Sequence, residues 1–376
     1  MKIRTPYYFK DFNCISSKCP DTCCAGWEII IDDETLDKYK KTEGNFSKRL
    51  KSEIIYYEDN EPGFKLKNNN CPFLNKNLLC DIYSELGDVY LCYTCKTFPR
   101  IIEEYGNLKE ICISLSCPEA ARLILKDNKK LSFNETENND LVTSYNSINP
   151  ELYIHLLATR KIIFDILNKD TMNLNEKLSL ILSLTAEIQE KIDNLEIAKT
   201  AEIRKKFKDL EFQKITTDNN KKFDLMKSYL KTCTDFELIN DNWPEIVNHA
   251  INTLYTNNNI DRYIIHSEFN IYYKERAYEY ENLISYFIFR YFLKSLHDAD
   301  VLSKVKLAIV SYLIIKELNI SRWVDNNFNF SLDDQINISS TYSKQFEHSD
   351  LNIEKFYDLF NTLNLFSVNN IITLLN

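Results

Sequence analysis

Apolar residues in the second half of the chain recur at helical spacing. Across Leu174–Leu195 they fall every three or four residues, which predicts an amphipathic helix with one buried face. Asn173 followed three residues later by Glu176 is typical of a capping box at its start. The segment 149–168 opens with Asn-Pro, a cap followed by a first-turn proline, and predicts the helix before it. Residues 150–376 are therefore expected to form an all-helical domain.

Two stretches of this region are apolar on nearly every side. Residues 278–296 and 301–318 predict buried helices at the centre of the core, because a solvent-facing helix would carry a polar face. Residues 325–350 are polar and irregular in pattern, which favours a loop.

The first 126 residues follow a different pattern. They hold all five glycines and six of the eight prolines, which predicts short elements joined by tight turns. Trp27–Asp32 is β-branched and predicts a short strand. We therefore expect a mainly α fold: an irregular cysteine-rich metal-binding domain (1–126), a polar linker (127–149) and the helical domain (150–376).

Charge and hydropathy narrow the classes of partner. A formal net charge of -9 argues against nucleic-acid binding, which needs a basic surface. The N-terminus lacks the apolar core of a signal peptide, and no run approaches the roughly 18 apolar residues needed to cross a bilayer. The sequence thus predicts a cytoplasmic protein without a membrane partner.

Cysteine is concentrated at one end of the chain. In a reducing compartment such a cluster favours a thiolate metal site first and a redox device second. Zinc and iron–sulfur clusters usually take four thiolates each, so either two sites exist or one site exists with spare thiols. Ten of the eleven cysteines lie in the first 117 residues: Cys14, Cys19, Cys23, Cys24, Cys71, Cys80, Cys92, Cys95, Cys112 and Cys117.

Spacing within the cluster gives finer expectations. The side chains of adjacent residues usually diverge, so we expect only one of Cys23 and Cys24 to ligate any given ion. Cys92-Tyr-Thr-Cys95 has the two-residue spacing of zinc knuckles and of redox dithiols. All five histidines lie outside the cysteine-rich region, so histidine ligation would need a long-range contact.

Six blocks of the first 122 residues resemble one known family. Their order and spacing are similar to those of the bacterial flagellin lysine N-methylases, and the middle of the pattern also resembles a wider family of small zinc- or iron-chelating cysteine proteins. The blocks are Phe12–Trp27 followed by Ile31-Asp32, Cys71–Leu74, Leu79–Ile82, Leu86–Leu91, Thr94–Arg100 and Leu115–Arg122.

This resemblance implies an enzyme that transfers methyl groups to lysine side-chain amines of flagellin, with S-adenosylmethionine as donor. It also implies a metal centre, either an iron–sulfur cluster (4Fe-4S) or zinc. Cys92 and Cys112 stand where the family pattern does not require cysteine and are treated as accessory. The matching cysteines, carried over as candidate ligands, are Cys14, Cys19, Cys23, Cys24, Cys71, Cys80, Cys95 and Cys117.

No residue can be assigned to the donor or to catalysis from the sequence. The chain has no glycine-rich turn, and no glycine at all after Gly106, so the donor site is either unusual in form or missing. Arg100 and Arg122 could hold an anion, and Glu119 could receive the substrate ammonium. Helix capping and surface ion pairs are the commoner roles of such arginines, and the helix dipole alone explains Glu119.

Tyrosine pairs offer a further weak signal. Tyr56-Tyr57 and Tyr272-Tyr273 could form an aromatic wall for a methylated cation, although 23 tyrosines make such pairs common. Two other functions stay open. One is a non-enzymatic metal chelator or adaptor, and the other is a thiol redox sensor that uses Cys92 and Cys95.

Overall fold

The chain folds into a mainly helical structure, which confirms the predicted fold class, with a mixed sheet near the N-terminus. The structure, a computed structural model, describes residues 1–27, 29–57, 60–140, 148–208, 210, 218–256 and 261–376. Its strands are β1 (Lys2–Pro6), β2 (Ile54–Tyr56), β3 (Pro62–Phe64), β4 (Arg100–Tyr105), β5 (Leu108–Ile113) and β6 (Phe133–Glu137).

Short helices accompany the strands, and longer ones fill the second half. Those of the first half are α1 (Asp33–Lys41), α2 (Asn45–Ser52), α3 (Asp81–Leu86), α4 (Tyr93–Thr97) and α5 (Pro118–Leu125). The rest are α6 (Pro150–Leu167), α7 (Leu174–Asp193), α8 (Thr200–Lys208), α9 (Asn219–Thr232), α10 (Trp243–Ile251), α11 (Arg262–Tyr272), α12 (Tyr278–Tyr291), α13 (Ser295–Asp298), α14 (Val301–Asp325), α15 (Leu332–Glu347), α16 (Asp350–Thr362) and α17 (Val368–Leu375).

The mixed sheet has the strand order β4-β5-β1-β6. β1 runs parallel to β5 and antiparallel to β6, and β4 and β5 form a hairpin. β6 falls within the stretch predicted as a linker, while 141–147 lie outside the described residues. The three-part domain division stays a prediction. The strand expected over Trp27–Asp32 is reduced to an isolated bridge between Ile30 and Gly63 among the described residues.

Several predicted helices are confirmed at their ends. The Asn149 side chain accepts from the first turn of α6, and Asn173 with Glu176 forms the predicted capping box of α7. α12 and α14 are buried along most of their length, as predicted.

The loop predicted over 325–350 is wrong, because α15 occupies most of it. Ser331 and Asp334 form a capping box at its start, and Tyr342 and Phe346 pack into the core one turn apart. Its buried face also carries Gln335, whose polar side chain is fully enclosed. This buried polar content hid the helical period from a pattern based on apolar residues.

The described residues form two separate hydrophobic cores. The larger runs through the helices of the second half and includes α5 and part of the mixed sheet. The smaller lies among α1, α2, β3 and α3, around Tyr39, Phe64 and Phe73. Within the described ranges, no helix is both long and apolar enough to cross a membrane.

Candidate metal centre and adjoining cleft

Five cysteines share the smaller core, and we call them the inner cysteine group. They pack among its aromatic rings. Burial raises the pKa values of Cys71 and Cys80, the hydrogen bond to Cys92 and then burial raise that of Cys95, and the charges of neighbouring thiols raise all three further. The group consists of Cys24, Cys71, Cys80, Cys92 and Cys95.

Charged side chains position the loops of the inner group. Arg49 on α2 donates to the carbonyl of Pro72 at 2.6 Å and to the Asp81 carboxylate at 2.7 Å, next to two of the cysteines. The Asp32 carboxylate accepts from the backbone N–H of Tyr93 at 2.6 Å, which anchors the first turn of α4. The Cys71 N–H donates to the Cys24 carbonyl at 2.7 Å.

Four other cysteines lie together on the side facing the helical region, and we call them the outer cysteine group: Cys14, Cys19, Cys23 and Cys117. Burial raises the pKa values of Cys19 and Cys117, the hydrogen bond to Cys24 and then burial raise that of Cys23, and a nearby Cys14 thiolate adds a smaller upward shift to the pKa of each. Cys117 adds a further small upward shift to the pKa of Cys23. Cys14 and Cys23 are exposed, whereas Cys117 caps the N-terminal end of α5. The Ser16 N–H donates to the Cys14 sulfur at 3.4 Å.

The adjacent pair Cys23-Cys24 joins the two groups. The Cys23 thiol donates to the Cys24 sulfur, which raises the pKa of Cys23 and lowers the pKa of Cys24 to about 7. The expectation that the two adjacent side chains diverge is therefore wrong for their thiols. The two thiols still have different neighbours. Cys14 and Cys117 of the outer group contribute to the raised pKa of Cys23, whereas Cys24 contributes to the raised pKa of Cys71 in the inner group.

Two cysteines take no part in either group. Cys112 is buried against Arg290, and burial raises the pKa of its thiol to about 12. Cys233 is buried in the larger core. Cys92 lies with the inner group, where its thiol accepts from Cys95, and this hydrogen bond lowers the Cys92 pKa.

The donor atoms fit a thiophilic metal in their chemistry, but not in their arrangement. Zinc and iron–sulfur clusters are bound by thiolates, and the low pKa of Cys24 favours that form. In the part of the chain that the structure describes, no three Cys, His, Asp or Glu side chains converge closely enough to hold one ion. Instead, two pairs of thiols are hydrogen-bonded, Cys23 with Cys24 and Cys92 with Cys95.

A buried polar network attaches the outer group to the helical region. Arg290 on α12 lies 2.7 Å from the Glu347 carboxylate, and that carboxylate also accepts from the hydroxyls of Tyr286 and Tyr291 at 2.9 Å each. The Tyr286 hydroxyl in turn accepts from the Leu115 N–H at 3.1 Å. These contacts fix the segment that leads into Cys117.

His348 extends the same network to the first cysteine loop. Its Nε2 lies 2.8 Å from the Ser116 hydroxyl, and its ring packs 5.1 Å from that of Trp27. The Trp27 indole N–H donates to the Cys23 carbonyl at 2.8 Å. Burial lowers the pKa of His348 to about 4, so the ring is neutral near pH 7. This is the long-range histidine contact with the cysteine-rich region that sequence reasoning missed.

A cleft of about 880 Å³ opens beside the outer group. One wall is the loop 20–26 and the other is α15, with Pro118 and residues 239–242 completing it. Lys344 crosses the cleft to Asp21, at 3.1 Å. Gly26 has a φ of +81°, a backbone conformation that favours glycine. A Cβ there would lie 3.2 Å from the Lys344 Cε, so that side chain would have to shift by a few tenths of an ångström.

Carboxylates dominate the charged lining of this cleft. The guanidinium of Arg322 is 3.4 Å from Asp334, so that carboxylate is already paired. Asp241 and Asp333 are exposed at the cleft and form no ion pair within the described ranges. The cleft therefore has spare negative charge and suits a cationic group.

The other candidates from the sequence are engaged in local contacts. Glu119 accepts from Arg122 at 2.6 and 2.8 Å, and Arg100 packs over the Phe12 ring. The two tyrosine pairs lie in different parts of the fold, Tyr56-Tyr57 at the end of β2 and Tyr272-Tyr273 at the end of α11. The hydroxyls of Tyr57 and Tyr272 donate to the backbone carbonyls of Phe64 and Phe330, and that of Tyr273 donates to the Glu279 carboxylate.

Comparison with known proteins gives two family matches. Residues 160–374 match the family described as the FliB lysine N-methylase C-terminal domain. Residues 13–113 match the CxxCxxCC family, described as a "Putative zinc- or iron-chelating domain". The second match includes the whole inner group and leaves Cys117 outside. No solved structure gives a significant match.

Individual relatives are similar over part of the chain. Lysine-N-methylases of Salmonella choleraesuis (strain SC-B67) and Salmonella typhimurium (strain LT2) are 31% identical over 139 residues, 35% of this chain and 35% of each relative. The flagellar biosynthetic protein FliU of Salmonella muenchen is 31% identical over 139 residues, 82% of its length. Since the helical match covers more than half of the chain, the chain belongs to the FliB lysine N-methylase family.

Proposed function

We propose that the protein methylates lysine side chains of flagellin, with S-adenosylmethionine as the methyl donor. The observation that carries this proposal is the match of residues 160–374 to the lysine N-methylase C-terminal domain. The similarity to two lysine-N-methylases and to a flagellar biosynthetic protein supports it.

The cleft is our candidate for the lysine site. A lysine side chain enters as an ammonium, and the carboxylates of Asp241 and Asp333 offer it a counter-charge. Transfer forms a bond from the lysine nitrogen to the methyl carbon while the carbon–sulfur bond of the donor breaks. The attacking nitrogen must first give up a proton, because an ammonium has no lone pair.

The cysteines are our candidates for a thiolate-bound metal centre, with Cys14, Cys19, Cys23, Cys24, Cys71, Cys80, Cys95 and Cys117 as ligands. A zinc ion or iron–sulfur cluster held there would supply either folding energy or redox chemistry. The residues of this chain do the positioning: Arg49 and Asp32 hold the loops of the inner group, and Trp27 and His348 hold the outer one.

Intact mass of the cognate flagellin tests the activity. Flagellin co-expressed with the wild-type protein should gain mass in whole methylene units that map to lysines. The cleft variant Asp241→Asn/Asp333→Asn should slow the gain several-fold, since it removes the counter-charge. Asp37→Asn/Asp224→Asn changes two exposed carboxylates in α1 and α9 and should behave as wild type. An unchanged flagellin mass with metal-loaded wild-type protein would refute the proposal.

A non-enzymatic metal chelator or adaptor is the second candidate. The absence of any glycine after Gly106 favours it, because the glycine-rich turn of doubly wound donor sites cannot form in the helical region. Calorimetric titration with S-adenosylmethionine separates the two. Saturable binding supports the methylase, and no heat at millimolar donor supports the chelator.

A further inference from the structure

The cleft that we assign to the substrate lysine already holds a lysine of the chain itself. Lys344 on α15 lines this cleft, and within the described ranges no other lysine does. Its ammonium lies 3.1 Å from the Asp21 carboxylate and 3.5 Å from the Thr22 carbonyl. We propose that Lys344 is a methyl acceptor, so that the protein methylates this side chain of its own in the cleft that receives a flagellin lysine. This inference rests on the proposed methylase function.

The aliphatic part of Lys344 is held against the wall of the cleft. The side chain is only 13% exposed. Its Cε lies against Gly26, where a Cβ would be 3.2 Å away. Tyr342 and Phe346, two residues before and after it on α15, are buried in the larger core and fix the helix at this point. An enclosed methylene chain with its charge at a polar surface is the arrangement expected of a bound lysine.

The charges around Lys344 match those proposed for the substrate. Asp21 already binds its ammonium, whereas Asp241 and Asp333 form no ion pair within the described residues. Arg322, the other cation of the lining, is bonded to Asp334. The cleft therefore has carboxylates for an internal lysine and for an incoming one.

Transfer to Lys344 requires three changes at its Nζ. The ammonium first loses a proton along its hydrogen bond to Asp21, and this carboxylate, about half exposed, passes the proton to solvent. The nitrogen lone pair then forms a bond to the methyl carbon of S-adenosylmethionine. The carbon–sulfur bond breaks, and the sulfur keeps its electron pair as S-adenosylhomocysteine leaves.

Methylation of Lys344 changes the contact between the first cysteine loop and α15. Each added methyl group replaces an N–H, so a trimethylated Lys344 has no donor left for Asp21 or Thr22. The positive charge is kept. The modification therefore weakens the hydrogen bonds that link the loop 20–26 to α15 and leaves the charge of the cleft unchanged.

Peptide mapping of the full-length protein, incubated with S-adenosylmethionine with and without flagellin, tests this inference. The peptide that carries Lys344 should gain whole methylene units even without flagellin, and methyl groups already present after expression count towards the gain. Lys177 on α7 is the internal control. Its side chain is also enclosed and its ammonium bonds to the Glu281 carboxylate at 2.6 Å, but it lies outside the cleft and should gain nothing.

Three variants separate transfer in the cleft from general reactivity. Lys344→Arg keeps a cation beside Asp21 and should remove the whole gain in intact mass. Asp21→Asn removes the carboxylate that binds the ammonium and should slow the gain several-fold. Glu281→Gln breaks the matched pair of Lys177 and should leave the rate at Lys344 unchanged. Because the acceptor belongs to the same chain, the wild-type rate per chain should stay constant when the protein is diluted.

The outcomes distinguish this inference from the proposed function. Methylated flagellin with an unmodified Lys344 would overturn the inference and leave the proposed function intact. Equal gains at Lys344 and Lys177, or a rate that falls on dilution, would also overturn it, because they indicate transfer without the cleft or between molecules. A gain at Lys344 with unmodified flagellin would support the inference and refute flagellin as the substrate. No gain in either protein would refute both.

Discussion

The inner and outer cysteine groups use the same side chain in opposite surroundings. The inner thiols are part of a core, where Cys71 and Cys92 are buried together with Phe73. Three outer thiols lie on a loop, with Cys14 and Cys23 exposed, and the fourth, Cys117, stands at the start of α5. A small region that buries little apolar surface gains most from a metal or another cross-link. The inner group therefore serves the stability of the N-terminal region, and the outer group ties that region to the cleft.

The largest difference between the groups should appear in stability. Cys71→Ser puts a hydroxyl into the small core and removes an inner thiol, so we expect a loss of about 3 kcal/mol or more in the free energy of unfolding. Cys14→Ser should cost less than about 1 kcal/mol, because the side chain is exposed. Urea unfolding combined with hydrogen exchange over residues 29–95 measures both.

Equal losses in Cys71→Ser and Cys14→Ser would contradict the comparison. They would mean that the outer thiols carry as much folding energy as the enclosed ones. Cys233→Ala serves as a control for removal of a buried thiol elsewhere, since its effect should appear in the helical region alone.

The second difference concerns pH, because His348 lies on the outer side only. Burial and the nearby charges of Lys344 and Arg290 lower the pKa of His348 to about 4. The carboxylate of Asp21 opposes this shift but does not outweigh it. The unfolded chain binds a proton to this residue near pH 6.5, so stability present above that pH is lost as pH falls toward 4. The loss should reach about 3 kcal/mol at 1.4 kcal/mol per pKa unit.

His348→Asn should remove this pH dependence. Unfolding free energies of both proteins are measured between pH 7 and pH 4, and the wild-type curve should fall more steeply. Protonation of thiolates contributes to both curves and cancels in their difference. Parallel curves would show that His348 is not held neutral against Trp27.

The sequence predicted the helices well and the site only in outline. Helices such as α6 and α7 carry their own start signals, Asn149-Pro150 and the Asn173–Glu176 box, so local chemistry was enough. α15 was missed because its enclosed face includes glutamine and serine. The candidate ligands were identified from motif blocks in the sequence. Such blocks show which residues are cysteines but not how far apart the thiols lie in the fold.

The features that could not be predicted from the sequence depend on contacts between residues far apart in the chain. The division of the thiols into two groups depends on Cys117 meeting a loop about a hundred residues earlier. The contact of His348 with Trp27 spans an even longer stretch of chain. In the mixed sheet, β1 pairs with β5 and β6. These pairings could not be predicted from the sequence, because the strands are short and of mixed polarity. Tertiary packing decides such pairings rather than local propensity.

The smallest expected effect concerns the contact between the outer loop and α15. Lys344 is bonded to Asp21 at 3.1 Å and lies 3.5 Å from the Thr22 carbonyl. The Asp21 carboxylate is about half exposed, so the pair should contribute no more than about 1 kcal/mol. Lys344→Met should therefore raise the alkylation rate of the outer thiols by about two- to fivefold in the presence of a chelator.

Mass spectrometry of iodoacetamide-treated protein measures that rate at each cysteine. Cys71 should react at the wild-type rate in Lys344→Met, because its enclosure owes nothing to α15. Lys206→Met removes an ion pair to Glu187 far from both groups and should change neither rate. If Lys344→Met accelerated inner and outer thiols alike, the two groups would open as one unit, and the contrast between an enclosed site and a docked loop would fail.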